Sequence, residues 1–296
     1  MTSPREVFDR LSEGISQGRW DELSALYAED AVIEHPQRVP RPTRLEGRKA
    51  LHEHFTGALA ASVRLKRHDV VVHETTDPEV IVAEYKYTAE SIATGKSAEV
   101  DNVQVVRVRD GLIVHTRDYH DYLRLTALQD ALDTLPAAFE QAPPRELLPP
   151  AERPPLSPAG TPRGVLERLV YGIADRRWAE IVELYGEKTY VTHPFHPSST
   201  PHRTREEIRE HFAMRRLDVD LDVRNLVTYQ GTDPEILIAE FDYQGTLGAS
   251  QPTRVSQIFV MRIRDGVIIE SHDYGDHLGV AGDTGRLPEF FARLNA

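Results

Sequence analysis

Histidine and aspartate are the side chains whose placement in this chain could carry chemistry, because the same pairs occur twice. His35-Pro36 returns as His193-Pro194, and Asp118-Tyr119 as Asp273-Tyr274. A His and an Asp facing one cavity can divide the acid and base roles of a proton transfer, and an Asp partly removed from water has its pKa raised toward the working pH. The same residues also have structural readings: His35 can cap a strand end before Pro36, and Asp118 can pair with Arg117. Metal chemistry is the other possibility for imidazoles. His193, His196 and His202, or His115 with His120, match no standard zinc spacing, and the first half has no counterparts of His196 and His202. His52 and His54 lie two apart on an expected helix and diverge. No metal is expected. There is no phosphate cradle, dinucleotide fingerprint or serine-nucleophile motif, and without cysteine there is no thiol catalysis or disulfide scaffold. A cofactor-free site is the consistent reading.

The elements that position these residues come from a tandem repeat. At an offset of 158, Val7, Phe8, Leu11 and Ile15 meet Val165, Leu166, Leu169 and Ile173, and Trp20 meets Trp178. The offset shrinks to 155, where Arg107–Gly111 meets Arg262–Gly266. Such drift is what small loop deletions leave in a duplicated domain. Between the copies, residues 142–162 hold eight of the 20 prolines, which favours an extended, semi-rigid spacer. The expected division is therefore a domain over 1–140, a linker over 141–162 and a second domain over 163–296.

Each copy reads as α+β. Ser3-Pro4-Arg5-Glu6 is a capping box opening a helix, and Thr161-Pro162 opens its counterpart. A short helix around 21–28, a strand at 31–34 and a helix at 46–55 follow. Strand-like segments lie near 63–73, 80–90, 97–109 and 112–121, with hairpin turns at Asp110-Gly111 and Asp265-Gly266. Helices followed by an antiparallel meander imply a curved sheet wrapped around them, open at one end. Trp20 and Trp178 are expected in the core, and Tyr119 and Tyr274 on the outer face at a sheet interface.

Composition sets the class of partner. The 296 residues suit two domains, and 47 carboxylates against 35 basic residues give a net charge of −12, which disfavours nucleic acid. No apolar signal core or membrane-length stretch is visible, so a cytoplasmic protein without membrane partners is expected.

Gly18-Arg19-Trp20-Asp21-Glu22-Leu23, Leu26–Val32 and Arg117-Asp118-Tyr119-His120-Asp121 resemble the superfamily of nuclear transport factor 2-like, SnoaL-like and ketosteroid isomerase-like domains. The resemblance implies two tandem cone-shaped α+β domains, each a curved antiparallel sheet on about three helices. It also implies an intramolecular pseudo-dimer, because single domains of this kind pair through their sheets. Residues 84–121, with the Thr94-Gly95-Lys96-Ser97 turn, are similar to limonene epoxide hydrolases. Those enzymes use an Arg and an Asp two apart on one strand and an Asp on the last strand. Asp118 matches the last of these, but Tyr85 and Tyr87 occupy the other two positions, as do Phe241 and Tyr243 in the second copy. The positions that hold their water fall on Ile33 and His35. That departure removes the Asp-Arg-Asp arrangement and puts epoxide hydrolysis by that route in doubt.

Mapping by resemblance and strand alternation places His35, Tyr85, Tyr87, Asn102 and Asp118 inward in the first copy, and His193, Phe241, Tyr243, Gln257 and Asp273 in the second. Asp118, His35 and Tyr87, with Asp273, His193 and Tyr243, are the candidate catalytic groups. A tyrosine hydroxyl can donate to an enolate oxygen as charge develops on it. Tyr85, Asn102, Ile33, Phe241 and Gln257 are candidate substrate contacts. The expected function is a cofactor-independent cyclase, isomerase or dehydratase on a mostly apolar, carbonyl-bearing small molecule of secondary metabolism. A non-catalytic small-molecule binder and an epoxide hydrolase with an altered site are the alternatives.

Overall fold

The structure, a computed structural model, describes residues 2–198, 200–214, 219–247 and 251–294. The chain divides into two compact units, residues 1–140 and 141–296.

In the first unit, helix α1 (Pro4–Ser16) starts where Ser3 Oγ accepts from Glu6 N and Glu6 Oε2 accepts from Ser3 N, closing the expected capping box. Its buried stripe of Val7, Phe8 and Leu11 faces the sheet. Then come α2 (Trp20–Leu23), β1 (Tyr27–His35), β2 (Thr43–Glu46), α3 (Arg48–His54), α4 (Ala60–Ser62), β3 (Val63–Glu74), β4 (Val80–Ser91), β5 (Ser97–Arg109), β6 (Leu112–His120), α5 (Tyr122–Leu128) and α6 (Leu135–Gln141). The strand order is β2-β1-β6-β5-β4-β3. The sheet is antiparallel except where β1 runs parallel to β6, which the meander expected from the sequence did not include. Strand β1 is also longer than the expected 31–34 segment, and short helix α5 follows the last strand because Asp121 accepts from Arg124 N and caps it. Asp69, at φ 49°, marks a bulge in β3 between His68 and Val71.

The second unit repeats the plan: α7 (Pro162–Ala174), α8 (Trp178–Val182), β7 (Tyr185–Thr192), β8 (His202–Thr204), α9 (Arg205–Met214), β9 (Val219–Gln230), β10 (Ile236–Leu247), β11 (Thr253–Arg264), β12 (Val267–Gly275), α10 (His277–Asp283) and α11 (Leu287–Ala292). Its strand order is β8-β7-β12-β11-β10-β9, with β7 parallel to β12. Asn225, at φ 52°, takes the place of Asp69. Each unit has its own core between the first helix and the sheet. The α+β cone expected from the sequence is present twice. Tyr119 and Tyr274 are buried, on the sheet face opposite their Asp neighbours.

The proline-rich stretch has no helix or strand of its own and is fastened to the second repeat. Gln244 exchanges both amide hydrogen bonds with the Leu148 backbone, at 2.6 and 2.9 Å. Glu167 accepts from Ser157 N at 2.6 Å. Arg145, with 5% of its side chain exposed, reaches Asp283 at 2.5 Å and Asp276 at 3.3 Å. Removing one partner from a buried ionic cluster leaves uncompensated charge and costs roughly 3–5 kcal/mol. Arg145→Ala should therefore destabilise the second repeat by that order in chemical denaturation, and unchanged stability would show that the stretch is only loosely attached.

Candidate active site

The last hairpin decides which groups meet. The Asp110-Gly111 turn has positive φ at both residues, 52° and 78°, as a two-residue hairpin turn requires. From that turn, plain counting would set Asp118 opposite Val103. A bulge between Arg107 and Val108 advances the register by one residue, so Gln104 faces Asp118 and Asn102 faces His120.

Asp118 is 7% exposed and accepts from Gln104 Nε2 at 2.8 Å. Burial pushes its carboxyl up to about 6, against the opposing Gln104 hydrogen bond. His120 is held by Asn102, whose Nδ2 donates to the Val100 carbonyl at 2.8 Å. That fixes the amide, so Asn102 Oδ1 accepts from His120 Nδ1 at 2.7 Å. Burial, with His54 and Arg38 nearby, lowers His120 to about 4. The ring is neutral, with its Nε2 lone pair left as an acceptor. His35, at the end of β1, is buried, and neither ring nitrogen has a side-chain hydrogen-bond partner. Burial first, then His120, His54 and Arg38, hold it well below the usual histidine range. Its ring lies 5.6 Å from that of His54 and 5.8 Å from that of His120.

His35, Asp118 and His120 place ligand atoms within 4.8 Å of one another, and among the described residues they form the one such group. Two neutral imidazoles beside a carboxyl that titrates near neutrality can pass a proton among themselves; the same donor set is the place where this chain could hold a cation. His115, weighed with His120 as a ligand pair and set aside from the sequence, turns to Glu34 at 3.3 Å. Tyr85 and Tyr87 stand edge to face at 5.2 Å, and burial raises both phenols, so they stay protonated donors. Tyr27, raised by burial and by the Asp118 charge, is a further phenol in this group. Ile33 lies in the core on the His35 face of β1.

In the second repeat, His193 Nε2 lies 3.9 Å from Asp273 Oδ2, and the Ser271 hydroxyl donates to Asp273 Oδ1. Phe259 replaces Gln104 opposite the aspartate. The Tyr243 hydroxyl donates to the Val170 carbonyl at 3.1 Å, which engages the proton a substrate oxygen would need. A cavity of about 540 Å³ is lined by Trp178, His193, Tyr243, Gln257 and Asp273 among others. Phe241 packs edge-on against Tyr243 and Phe259 in the core.

Gln104, His120, His54 and Tyr27 were not among the residues sequence reasoning assigned to the site. His120 was detectable, because it sits two residues from Asp118 on a strand, and His54 because it recurs as His211. Gln104 was not, because the bulge that pairs it is invisible to counting.

A sequence profile of the SnoaL-like domain matches residues 8–116 and 166–271. An uncharacterized PhzA/B-like protein of Pseudomonas aeruginosa is 30% identical over 115 residues, spanning 38% of this chain and 78% of that protein. Uncharacterized protein YesE of Bacillus subtilis is 29% identical over 102 residues, 34% of this chain and 67% of that protein. Among solved structures, a phenazine biosynthesis-related protein from Pseudomonas aeruginosa aligns with a TM-score of 0.37 at 17% identity, covering 43% of this chain and 81% of that one. A Mycobacterium tuberculosis protein in complex with estradiol-17beta-hemisuccinate aligns with a TM-score of 0.35 at 24% identity, covering 39% and 92%.

The raised carboxyl makes a stability prediction. A group whose folded pKa lies above its unfolded value stabilises the fold below the unfolded value, near 4, and that contribution is lost as pH rises through about 6. Asp118→Asn keeps the shape and an acceptor for Gln104 without the charge. It should be more stable than the parent by on the order of 2–3 kcal/mol at pH 8, with the gap closing near pH 4. Denaturant titrations at the two pH values check this, and a less stable variant at pH 8 would mean that the carboxylate is a structural ion.

Proposed function

This chain belongs, in both of its repeats, to the SnoaL-like domain family, and we propose that it is a cofactor-independent acid/base enzyme, a cyclase, isomerase or dehydratase acting on a mostly apolar, carbonyl-bearing small molecule of secondary metabolism. The observation that carries the reading is the Asp118 carboxyl, buried and raised to about 6 beside His35 and His120. Above that pH it is a carboxylate poorly solvated enough to remove a proton from carbon next to a carbonyl. Tyr87 or Tyr85 donates to the developing enolate oxygen, and neutral His35 or His120 takes or returns the proton.

The first repeat does most of the chemistry in this proposal, because its two phenols and the Gln104 amide face Asp118. In the second repeat Phe259 stands opposite Asp273 and the Tyr243 proton is engaged. A cytoplasmic setting belongs to the same proposal; among the described residues no helix is long and apolar enough to cross a membrane. So does pairing of the two repeats as an intramolecular pseudo-dimer, which is supported by two family matches in one chain.

Deuterium uptake at the carbon next to the carbonyl of 2-tetralone, followed by NMR in deuterated buffer, needs no knowledge of the natural substrate. The chain should accelerate it, with a rate that rises through pH 6 and survives dialysis against EDTA. Asp118→Asn should lower the rate by roughly 10²–10⁴-fold and Asp273→Asn far less. Similar losses from both variants would defeat the asymmetry. Binding of the ketone without exchange would favour the non-catalytic binder, and activity lost to EDTA and restored by zinc would replace the acid/base mechanism with a metal-assisted one.

A further inference from the structure

The second repeat departs from the first in one consistent direction: its cavity has gathered imidazoles. His193, His196, His202, His211 and His277 all line it. Their rings form one contiguous patch, with centres 4.7 Å apart for His202 and His211, 5.3 Å for His193 and His211, 6.2 Å for His193 and His277, and 5.0 Å for His196 and His277. Only His193 and His211 have histidine counterparts in the first repeat, His35 and His54.

The backbone makes room for this patch. Position 275 matches His120, but it is glycine, and a Cβ there would lie 2.9 Å from Gln257 Oε1 and 3.1 Å from His277 Nε2. The imidazole that the first repeat carries on its last strand is thus supplied in the second from the start of α10. His196 Nδ1 accepts from Ser198 N at 3.2 Å, so the neutral ring carries its proton on Nε2, as a donor.

Two carboxylates, Asp273 and Asp276, are among the lining residues. Asp273 is shared with His193 and Ser271. Asp276 is held by Arg145 at 3.3 Å and by Gly279 N at 2.8 Å. Arg293 adds a cation to the lining, and much of the remaining wall is apolar, with Trp178, Phe212, Leu221 and Phe259. Five imidazoles and a guanidinium, set against two carboxylates of which one already faces an arginine, are complementary to an anion. The apolar wall is complementary to a hydrocarbon or aromatic body. A carboxylate fits better than a phosphate dianion, since the cost of taking charge out of water rises steeply with the charge.

We infer that the second repeat is a binding site for an amphipathic carboxylic acid, its ring skeleton against the apolar wall and its carboxylate on the histidine patch. The inference rests on the reading that the repeats hold small molecules, but not on catalysis by the first repeat.

The probes are 2-naphthoate and its neutral isostere 2-naphthamide, titrated calorimetrically into the full chain at pH 7 and into the Asp118→Asn chain. In both, naphthoate should bind at one site per chain about tenfold more tightly than the amide, as expected of charge-assisted over neutral hydrogen bonds. His202→Gln with His211→Gln should bring the two affinities together while leaving that of the amide in place. Gly275→Ala, which leaves every charge intact and presses on His277, should weaken naphthoate selectively and keeps the test open should the double variant fail to fold. Equal affinity for acid and amide, no binding of either, or a preference abolished by His54→Gln instead would overturn the inference. Stoichiometric zinc binding that requires His202 and His211 would overturn it too. Because the readout is affinity, a chain inactive in deuterium exchange still separates these outcomes.

Discussion

The carboxyl of Asp118 is withdrawn from water and takes a hydrogen bond from a neutral amide, and the arrangement of the first repeat follows from holding a group in that state. Had an arginine stood in place of Gln104, the carboxyl would be a fixed ion, its proton affinity low and its charge neutralised. Had nothing stood there, a buried acceptor would lose a partner, at a cost that is a sizeable fraction of a small domain's stability. A neutral donor lies between these limits. It keeps the carboxyl in place while leaving its proton exchangeable near neutral pH.

That pairing depends on one residue of register. The bulge between Arg107 and Val108 has a counterpart between Arg262 and Ile263 in the second repeat. Both copies therefore advance the final strand by the same step and present position 104 or 259 to the aspartate. The scaffold is common, and only the side chain delivered to it has changed. With Phe259 in that place, Asp273 takes a hydrogen bond from Ser271 on its own strand and approaches His193. Loss of an amide donor from one wall thus goes with a carboxylate–imidazole approach of 3.9 Å and with a wall that packs Phe259 against Phe241.

The legible part of this protein was the part written in local pattern and repetition. The Ser3 and Thr161 caps, the apolar stripes of α1 and α7, the Asp-Gly turns and the repeat offset all act over a few residues, and each reports on one element. His35, Tyr85, Tyr87 and Asp118 were placed inward by the family resemblance together with the alternation that carries over from one strand residue to the next. What could not be read was non-local. The parallel pairing of β1 with β6 joins residues some 80 positions apart, and the bulge leaves no mark on residue type. The role of Asn102 changed for the same reason: its Oδ1 is engaged by His120, a neighbour only in the folded register.

Duplication within one chain explains why the two sites were able to diverge in chemistry while keeping a common frame. A free homodimer is bound to change both pockets with every substitution; a fused pair is not. His120 and Gly275 occupy the same place on the last strand, and the difference between them is compensated nearby, where His277 stands in place of Tyr122. A side chain at 275 would strike the tips of Gln257 and His277, and without His277 the glycine would leave the cavity short of a polar group on that side. The two repeats thus each keep an imidazole beside the aspartate end of the cone, delivered by the last strand in one and by the start of the following helix in the other, so that the polar side of the wall is retained while its geometry differs.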